Sequence, residues 1–324
     1  MADKILEIEG LNTWFFTRKG VLKAARDISF HLERGEVLGI VGESGSGKSV
    51  TGMSIMGLVD EPGRVVSGSI RLNGEELTTA PKQAIRRLRG NRIAMVFQNP
   101  LMTLNPVLRI SEQMFEVLQT HTSMSKKEMR ERCIDVLNSV GIPAAEERLN
   151  AFPHELSGGM RQRVVIAIAL LLDPDVIIAD EPTTALDVTI QAQIIHEMRR
   201  SIEERQLAMI WISHDLATLS ELAGRILVMY GGAIMETGTR AEIIGAPRHP
   251  YTRLLMASVP SRNTPGKKLM QIPGSMTSLI DVGPGCPFAN RCDRRLAACL
   301  EPQTGTQLSP THRIWCSNPP GEAS

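Results

Sequence analysis

Apolar and polar residues alternate early in the chain, in Ile5-Leu6-Glu7-Ile8 and again in Ile28-Ser29-Phe30-His31-Leu32, which predicts short β segments over residues 5–42 punctuated by Gly35-Glu36. The apolar run Val37-Leu38-Gly39-Ile40-Val41 reads as a buried strand. Between about 99 and 162 the pattern turns helical and polar, as in Ser125-Lys126-Lys127-Glu128-Met129-Arg130-Glu131-Arg132, and predicts a helical insertion. Strands return at 176–179 and 209–213, each followed by a helix-like stretch, the βαβ rhythm of a mostly parallel sheet. Gly231-Gly232 separates two further apolar runs, 226–230 and 233–237, as a two-residue hairpin. Beyond about residue 246 periodicity fades. Eleven of the nineteen prolines lie in 246–324, with nine basic residues against four acidic ones, and the segment reads as a separate, loop-rich module.

The 324 residues leave room for about two domains. A hydrophobic share of 42% with 22% charged residues excludes a disordered or fibrous chain, and a net charge of +1 argues against bulk nucleic acid as the main partner. The opening Met1-Ala-Asp-Lys-Ile-Leu-Glu lacks a basic stretch followed by an apolar run, so no secretory signal is expected and the chain is expected to stay in the cytoplasm. The longest uncharged apolar run, 164–172, stops at Asp173, well short of the ~20 residues of a spanning helix. A membrane role would therefore be exercised from outside the bilayer. Four of the five cysteines, Cys286, Cys292, Cys299 and Cys316, crowd into the last forty residues; in a reducing compartment this suggests a metal site before disulfides.

Candidate chemistry is concentrated in short motifs. Gly42-Glu43-Ser44-Gly45-Ser46-Gly47-Lys48-Ser49 fits the phosphate-loop pattern and lies between the buried strand and a helix-like stretch that begins at Val50. Glycines let backbone N–H groups approach phosphate oxygens, Lys48 neutralises phosphate charge, and the Ser49 hydroxyl suits Mg²⁺. The strand 176–179 runs into Asp180 and Glu181, so that Asp180 can reach the Mg²⁺ shell while Glu181 faces the γ-phosphate and handles the attacking water. Ser157-Gly158-Gly159 precedes another helix-like stretch, which places a hydroxyl and unbonded N–H groups at a second helix start suited to phosphate.

In this order the motifs resemble the nucleotide-binding domain of ABC transporters over residues 1 to about 245. The resemblance implies a RecA-like α/β core, a P-loop NTPase with an antiparallel β subdomain and a helical insertion. It also implies a head-to-tail dimer in which Ser157, Gly158 and Gly159 grip the nucleotide of the other protomer. By the same resemblance Gln98 links Mg²⁺ and water to the insertion, Asp187 works across the dimer interface, and His214 bonds the γ-phosphate and holds Glu181 in place. Phe15 matches the adenine-stacking position, with Trp14 as the second candidate.

His249-Pro250-Tyr251-Thr252 and Cys286-Pro287-Phe288-Ala289-Asn290-Arg291-Cys292 resemble the C-terminal extension of dipeptide and oligopeptide importer ATPases, giving a boundary between 1–245 and 246–324. The implied machine pairs this chain with a second, similar ATPase, two permease chains and an extracytoplasmic peptide-binding protein, at the cytoplasmic face of the bacterial inner membrane. Relatives of the extension also serve importers of nickel, glutathione or sugars; a soluble ABC-type ATPase acting on nucleic acid is the reading from another class. The spacing Cys-x5-Cys-x6-Cys-x16-Cys lacks Cys-x2-Cys knuckles, and four thiolates would suit a 4Fe-4S cluster, with structural Zn²⁺ or unligated thiols as alternatives. Arg291, Arg294, Arg295 and Arg313 are expected to offset the cluster's negative charge, and Cys133 is expected to be a buried apolar residue.

Overall fold

Strands form where the apolar runs predict them, although their lengths differ from the prediction. The computed structural model describes residues 3–184, 186–259, 271–280 and 282–321. In chain order it contains β1 (Lys4–Thr17), β2 (Gly20–Glu33), β3 (Val37–Val41), α1 (Lys48–Ile55), β4 (Gly63–Leu72), β5 (Glu75–Glu76), α2 (Lys82–Leu88), β6 (Ile93–Val96) and α3 (Pro100–Thr103). Then follow α4 (Ile110–His121), α5 (Lys126–Ser139), α6 (Ala145–Arg148), α7 (Gly158–Leu170), β7 (Val176–Asp180), α8 (Val188–Arg205), β8 (Ala208–Ser213) and α9 (Leu216–Leu222). The chain ends with β9 (Arg225–Tyr230), β10 (Ala233–Thr239), α10 (Pro250–Ala257), β11 (Thr306–Gln307) and β12 (Arg313–Ile314). Among the described residues no helix is long and apolar enough to cross a membrane.

Two compact units result, the first drawn from Met1–Ile5, Leu32–Glu36 and Thr79–Ile210, the second from Leu6–His31, Val37–Thr78 and Trp211–Ser324. In the first, β6 and β7 pair in parallel from Ile93 opposite Val176 to Val96 opposite Ala179. Both are buried along their whole length, as apolar runs covered on two faces should be. Around them lie the helices expected of the insertion. Ser125 opens α5 with a reciprocal capping box, its Oγ accepting from the Glu128 N–H while Glu128 Oε2 accepts from the Ser125 N–H at 2.7 Å. Met129, Cys133, Val136 and Leu137 then form the buried face of that helix.

In the second unit an antiparallel sheet runs β2-β1-β4-β5. The sequence predicts short segments here, yet β1 and β2 are 14 residues each. Register shifts in β1 between Glu9 and Asn12 and between Asn12 and Thr13 interrupt the two-residue alternation, so one irregular strand reads as fragments. A further set of strands runs β11-β12-β10-β9-β3, with β3 parallel to β9. The β9–β10 hairpin turns on Gly231 and Gly232 at φ +57° and +79°, the pair of left-handed residues that a two-residue turn needs. Residues near the C-terminus thus extend the sheet, since Ile314 of β12 pairs with Glu236 of β10.

Candidate functional site

The loop between β3 and α1 takes the shape of a phosphate cradle. Gly47 starts α1 at φ +100°, and a Cβ there would lie 2.2 Å from the Ala24 carbonyl oxygen; at Gly42 a Cβ would lie 2.1 Å from the Met229 carbonyl oxygen. Neither position admits a side chain. Lys48 is buried, and its ammonium donates to the carbonyls of Gly42 at 2.8 Å and Glu43 at 3.0 Å. Ser46 is fully buried, and its carbonyl accepts from the Gly232 N–H at 3.0 Å, so the β9–β10 turn braces the loop. Ser44 and Gly45 are exposed at the tip, while Ser49 and Val50 are half-buried in the first turn of α1.

At the end of β7 Asp180 is buried and Glu181 half-buried. Glu181 adopts a left-handed backbone, φ +46°, a conformation unfavourable for a non-glycine residue. Its Oε2 accepts from Gln98 Nε2 and from Thr184 Oγ1, both at 3.0 Å. The structure therefore brings Gln98 to Glu181; Thr184 and the strained backbone were missed by sequence reasoning, which has no signal for a positive φ at glutamate. His214 is exposed directly after β8, followed by Asp215, whose carboxylate caps α9 through the N–H groups of Ala217 and Thr218.

Ser157 caps α7, its Oγ accepting from the Met160 N–H at 3.3 Å, and both Ser157 and Gly158 are exposed. A Cβ on Gly159 would lie 2.8 Å from Cγ2 of Ile190, and Ile190 donates its N–H to Asp187 Oδ1 at 3.0 Å. The starts of α7 and α8 thus meet, bringing Ser157 and Asp187, far apart in sequence, to neighbouring exposed turns; Ala185 lies outside the described residues. The half-buried Phe15 pairs across the sheet with Gly63, whose missing side chain leaves room for the ring. Trp14 instead stacks under the Lys23 ammonium, 5.2 Å from the ring centroid.

The four C-terminal cysteines are free thiols and form no disulfide. Cys286 donates its N–H to the Cys299 carbonyl at 2.9 Å. Burial pushes the Cys286 thiol up to about 12, and the thiols of Cys316, Cys299 and Cys292 add to the effect. Cys292 and Cys316 are raised in the same way, burial first. Among the described residues, however, no group of three or more His, Cys, Asp or Glu side chains could hold a metal ion, so the expected metal site is not closed by their geometry. Of the arginines expected to offset a cluster, Arg291 is committed elsewhere: it pairs with Glu43 of the phosphate loop. Arg294 bonds to Asn318, and its charge also draws the Cys292 and Cys316 thiols down against burial; Arg295 turns to Asn290, and Arg313 lies over the Trp315 ring. Cys133 is a core residue, as expected, and burial pushes its thiol up to about 12.

Comparison with known proteins agrees with this geometry. Residues 25–184 match the ABC transporter family, and residues 235–299 match the oligopeptide/dipeptide transporter C-terminal region. The dipeptide transport ATP-binding protein DppD of Bacillus subtilis is 44% identical over 316 residues, 97% of this chain and 94% of its own length. The oligopeptide transport ATP-binding protein OppD of Escherichia coli is 42% identical over 318 residues, 98% of this chain and 94% of its own. Among solved structures, the dimeric ATP-binding cassette MJ0796 bound to ADP and Pi superposes with a TM-score of 0.66 at 26% identity, covering 72% of this chain and 98% of that one. The chain belongs to the ATP-binding proteins of ABC transporters, in the branch that carries the oligopeptide/dipeptide transporter C-terminal region.

Proposed function

We propose that this chain binds and hydrolyses ATP to drive import of dipeptides or oligopeptides through a membrane permease. The observation that carries the reading is the phosphate loop: a glycine-shaped cradle at a helix start, with the Lys48 ammonium gathered over it. Residues 1–245 act as the nucleotide-binding domain and 246–324 as the transporter-type extension. Phe15 stacks on adenine; Gly42, Ser44, Gly45, Ser46, Gly47, Lys48 and Val50 surround the phosphates. Ser49, Asp180 and Gln98 offer only oxygen ligands, a donor set suited to Mg²⁺, which supplies charge neutralisation at the phosphates when bound. Glu181 orients the attacking water and accepts its proton; Gln98 and Thr184 fix the carboxylate for that task. His214 bonds the γ-phosphate. Ser157, Gly158 and Asp187, all exposed, and the half-buried Gly159 face a nucleotide held by a second, similar ATPase.

Closure and reopening of that dimer are passed to two permease chains, with an extracytoplasmic binding protein delivering peptide, at the cytoplasmic face of the bacterial inner membrane. Two names among the relatives, dipeptide transport and oligopeptide transport, favour peptide over nickel, glutathione or sugar as cargo. In the extension, Cys286, Cys292, Cys299 and Cys316 ligate a 4Fe-4S cluster that orders the module. Four cysteines within the last forty residues match the four irons of such a cluster, each of which takes one protein thiolate. Anaerobic purification should give brown protein with roughly four irons per chain; colourless protein with one zinc decides for zinc. The ATPase reading is tested by comparing the isolated chain with the assembled complex. Activity should rise strongly on assembly, and equal specific activity for a verified monomer would refute a composite site.

A further inference from the structure

The two motifs that mark the extension, 249–252 and 286–292, converge on one residue of the phosphate loop. Glu43 donates its backbone N–H to the Tyr251 hydroxyl at 2.9 Å, its carbonyl accepts from Lys48 Nζ at 3.0 Å, and its carboxylate receives both arms of the Arg291 guanidinium at 2.7 and 3.2 Å. Arg291 spends its remaining N–H groups on the Tyr230 hydroxyl at 3.0 Å and on the carbonyls of Pro273 at 2.7 Å and Ile272 at 3.4 Å. All five donors of the fork are thereby used in one geometry that a lysine cannot reproduce. The Arg291 side chain is only 6% exposed, lying over the rings of Tyr230 and Phe288. Those rings and Tyr251 pack at centroid distances of 4.8 to 5.2 Å, a rigid wall behind the ion pair. A Cβ on Gly45 would lie 3.1 Å from the Met276 methyl, so the extension also reaches the tip of the loop.

We propose that Arg291 is a positioning residue for the nucleotide site: by clamping Glu43 it holds the phosphate loop open to a triphosphate and cancels a carboxylate that would otherwise repel the phosphates. Arg291 sits in the short loop bounded by Cys286 and Cys292, next to Cys292 itself. The order of the cysteine module therefore sets the affinity for ATP. This rests on the nucleotide reading above and adds a control that the reading does not require.

The test measures Mg-ATP affinity of the full-length chain, purified anaerobically, by competition with a fluorescent ATP analogue. Arg291→Lys should raise Kd roughly tenfold, the size of losing a charge-assisted paired contact. It should do so with an unchanged Tm. In a Glu43→Gln background the same Arg291→Lys change should leave Kd within about twofold, because the coupled partner is gone. Cys292→Ser should likewise raise Kd in the wild-type background and not with Glu43→Gln. An unaltered Kd for Arg291→Lys or Cys292→Ser, or an equal fold-loss in both backgrounds, overturns the proposal. A wild-type chain that bound no ATP would remove the nucleotide reading itself and this inference with it.

Discussion

Acidification should weaken the fold through His249, and the size of the effect follows from its surroundings. The ring is buried at the start of α10, where Nδ1 accepts from the Tyr251 N–H at 3.1 Å, so the neutral ring serves as the helix cap. Burial lowers its pKa from 6.5 to about 4, against the opposing pull of the Glu236 carboxylate and the Trp315 backbone. Between those values the unfolded chain binds the proton and the folded chain does not. Stability is therefore fully present above about pH 6.5 and is lost as pH falls towards 4. At 1.36 kcal/mol per pH step the whole window corresponds to roughly 3 kcal/mol, with about 2 already lost at pH 5. Glu76 and Glu242 titrate below this range. Burial works upward on both, but hydrogen bonds from Ser69 and Thr78, and from Ser309 and Thr239, bring them down to about 2. His249→Asn keeps a short acceptor for the cap and does not titrate. Urea unfolding followed by tryptophan fluorescence at pH 7, 6 and 5 should show wild type losing about 2 kcal/mol more than the variant. An equal loss in both proteins would refute the assignment to His249.

Two further substitutions probe the cradle. Gly47→Ala forces a Cβ to 2.2 Å from the Ala24 carbonyl at a left-handed φ, and should abolish measurable ATP binding in a nucleotide titration and lower Tm. Phe15→Ala should weaken ATP about tenfold if its ring stacks on adenine, as base stacking is worth roughly 1–3 kcal/mol. A larger loss for Trp14→Ala in the same titration would move the contact to Trp14.

What could be read from sequence depended on contiguity. The phosphate loop, Asp180-Glu181 and Ser157-Gly158-Gly159 each carry their chemistry within a few residues, and the structure gives each the strand end or helix start that the pattern implies. The irregular β1 was legible only as fragments because its register shifts mask the alternation. The Arg291–Glu43 pair spans 248 positions and joins two motifs that sequence reading assigned to different tasks. Nor does composition announce that a two-residue strand, β12, ties a proline-rich segment to β10 through Ile314 and Glu236. The buried Glu236 accepts there from His312 at 2.7 Å and from the Arg248 and His249 N–H groups at 2.7 and 2.9 Å, a joint that appears only once the fold is formed.

The central claim is that ATP hydrolysis at this chain powers peptide import, and Glu181→Gln in the transporter reconstituted into vesicles tests it most directly. The substitution preserves the side-chain shape and an oxygen acceptor for Gln98 and Thr184, and removes the carboxylate that handles water. Wild type should take up labelled dipeptide or oligopeptide only with Mg-ATP. The variant should bind ATP with near-normal affinity while its hydrolysis and peptide uptake fall by roughly 10²–10⁴. Peptide uptake that continued at the wild-type rate in the variant, or that ran without ATP in the wild type, would contradict the account.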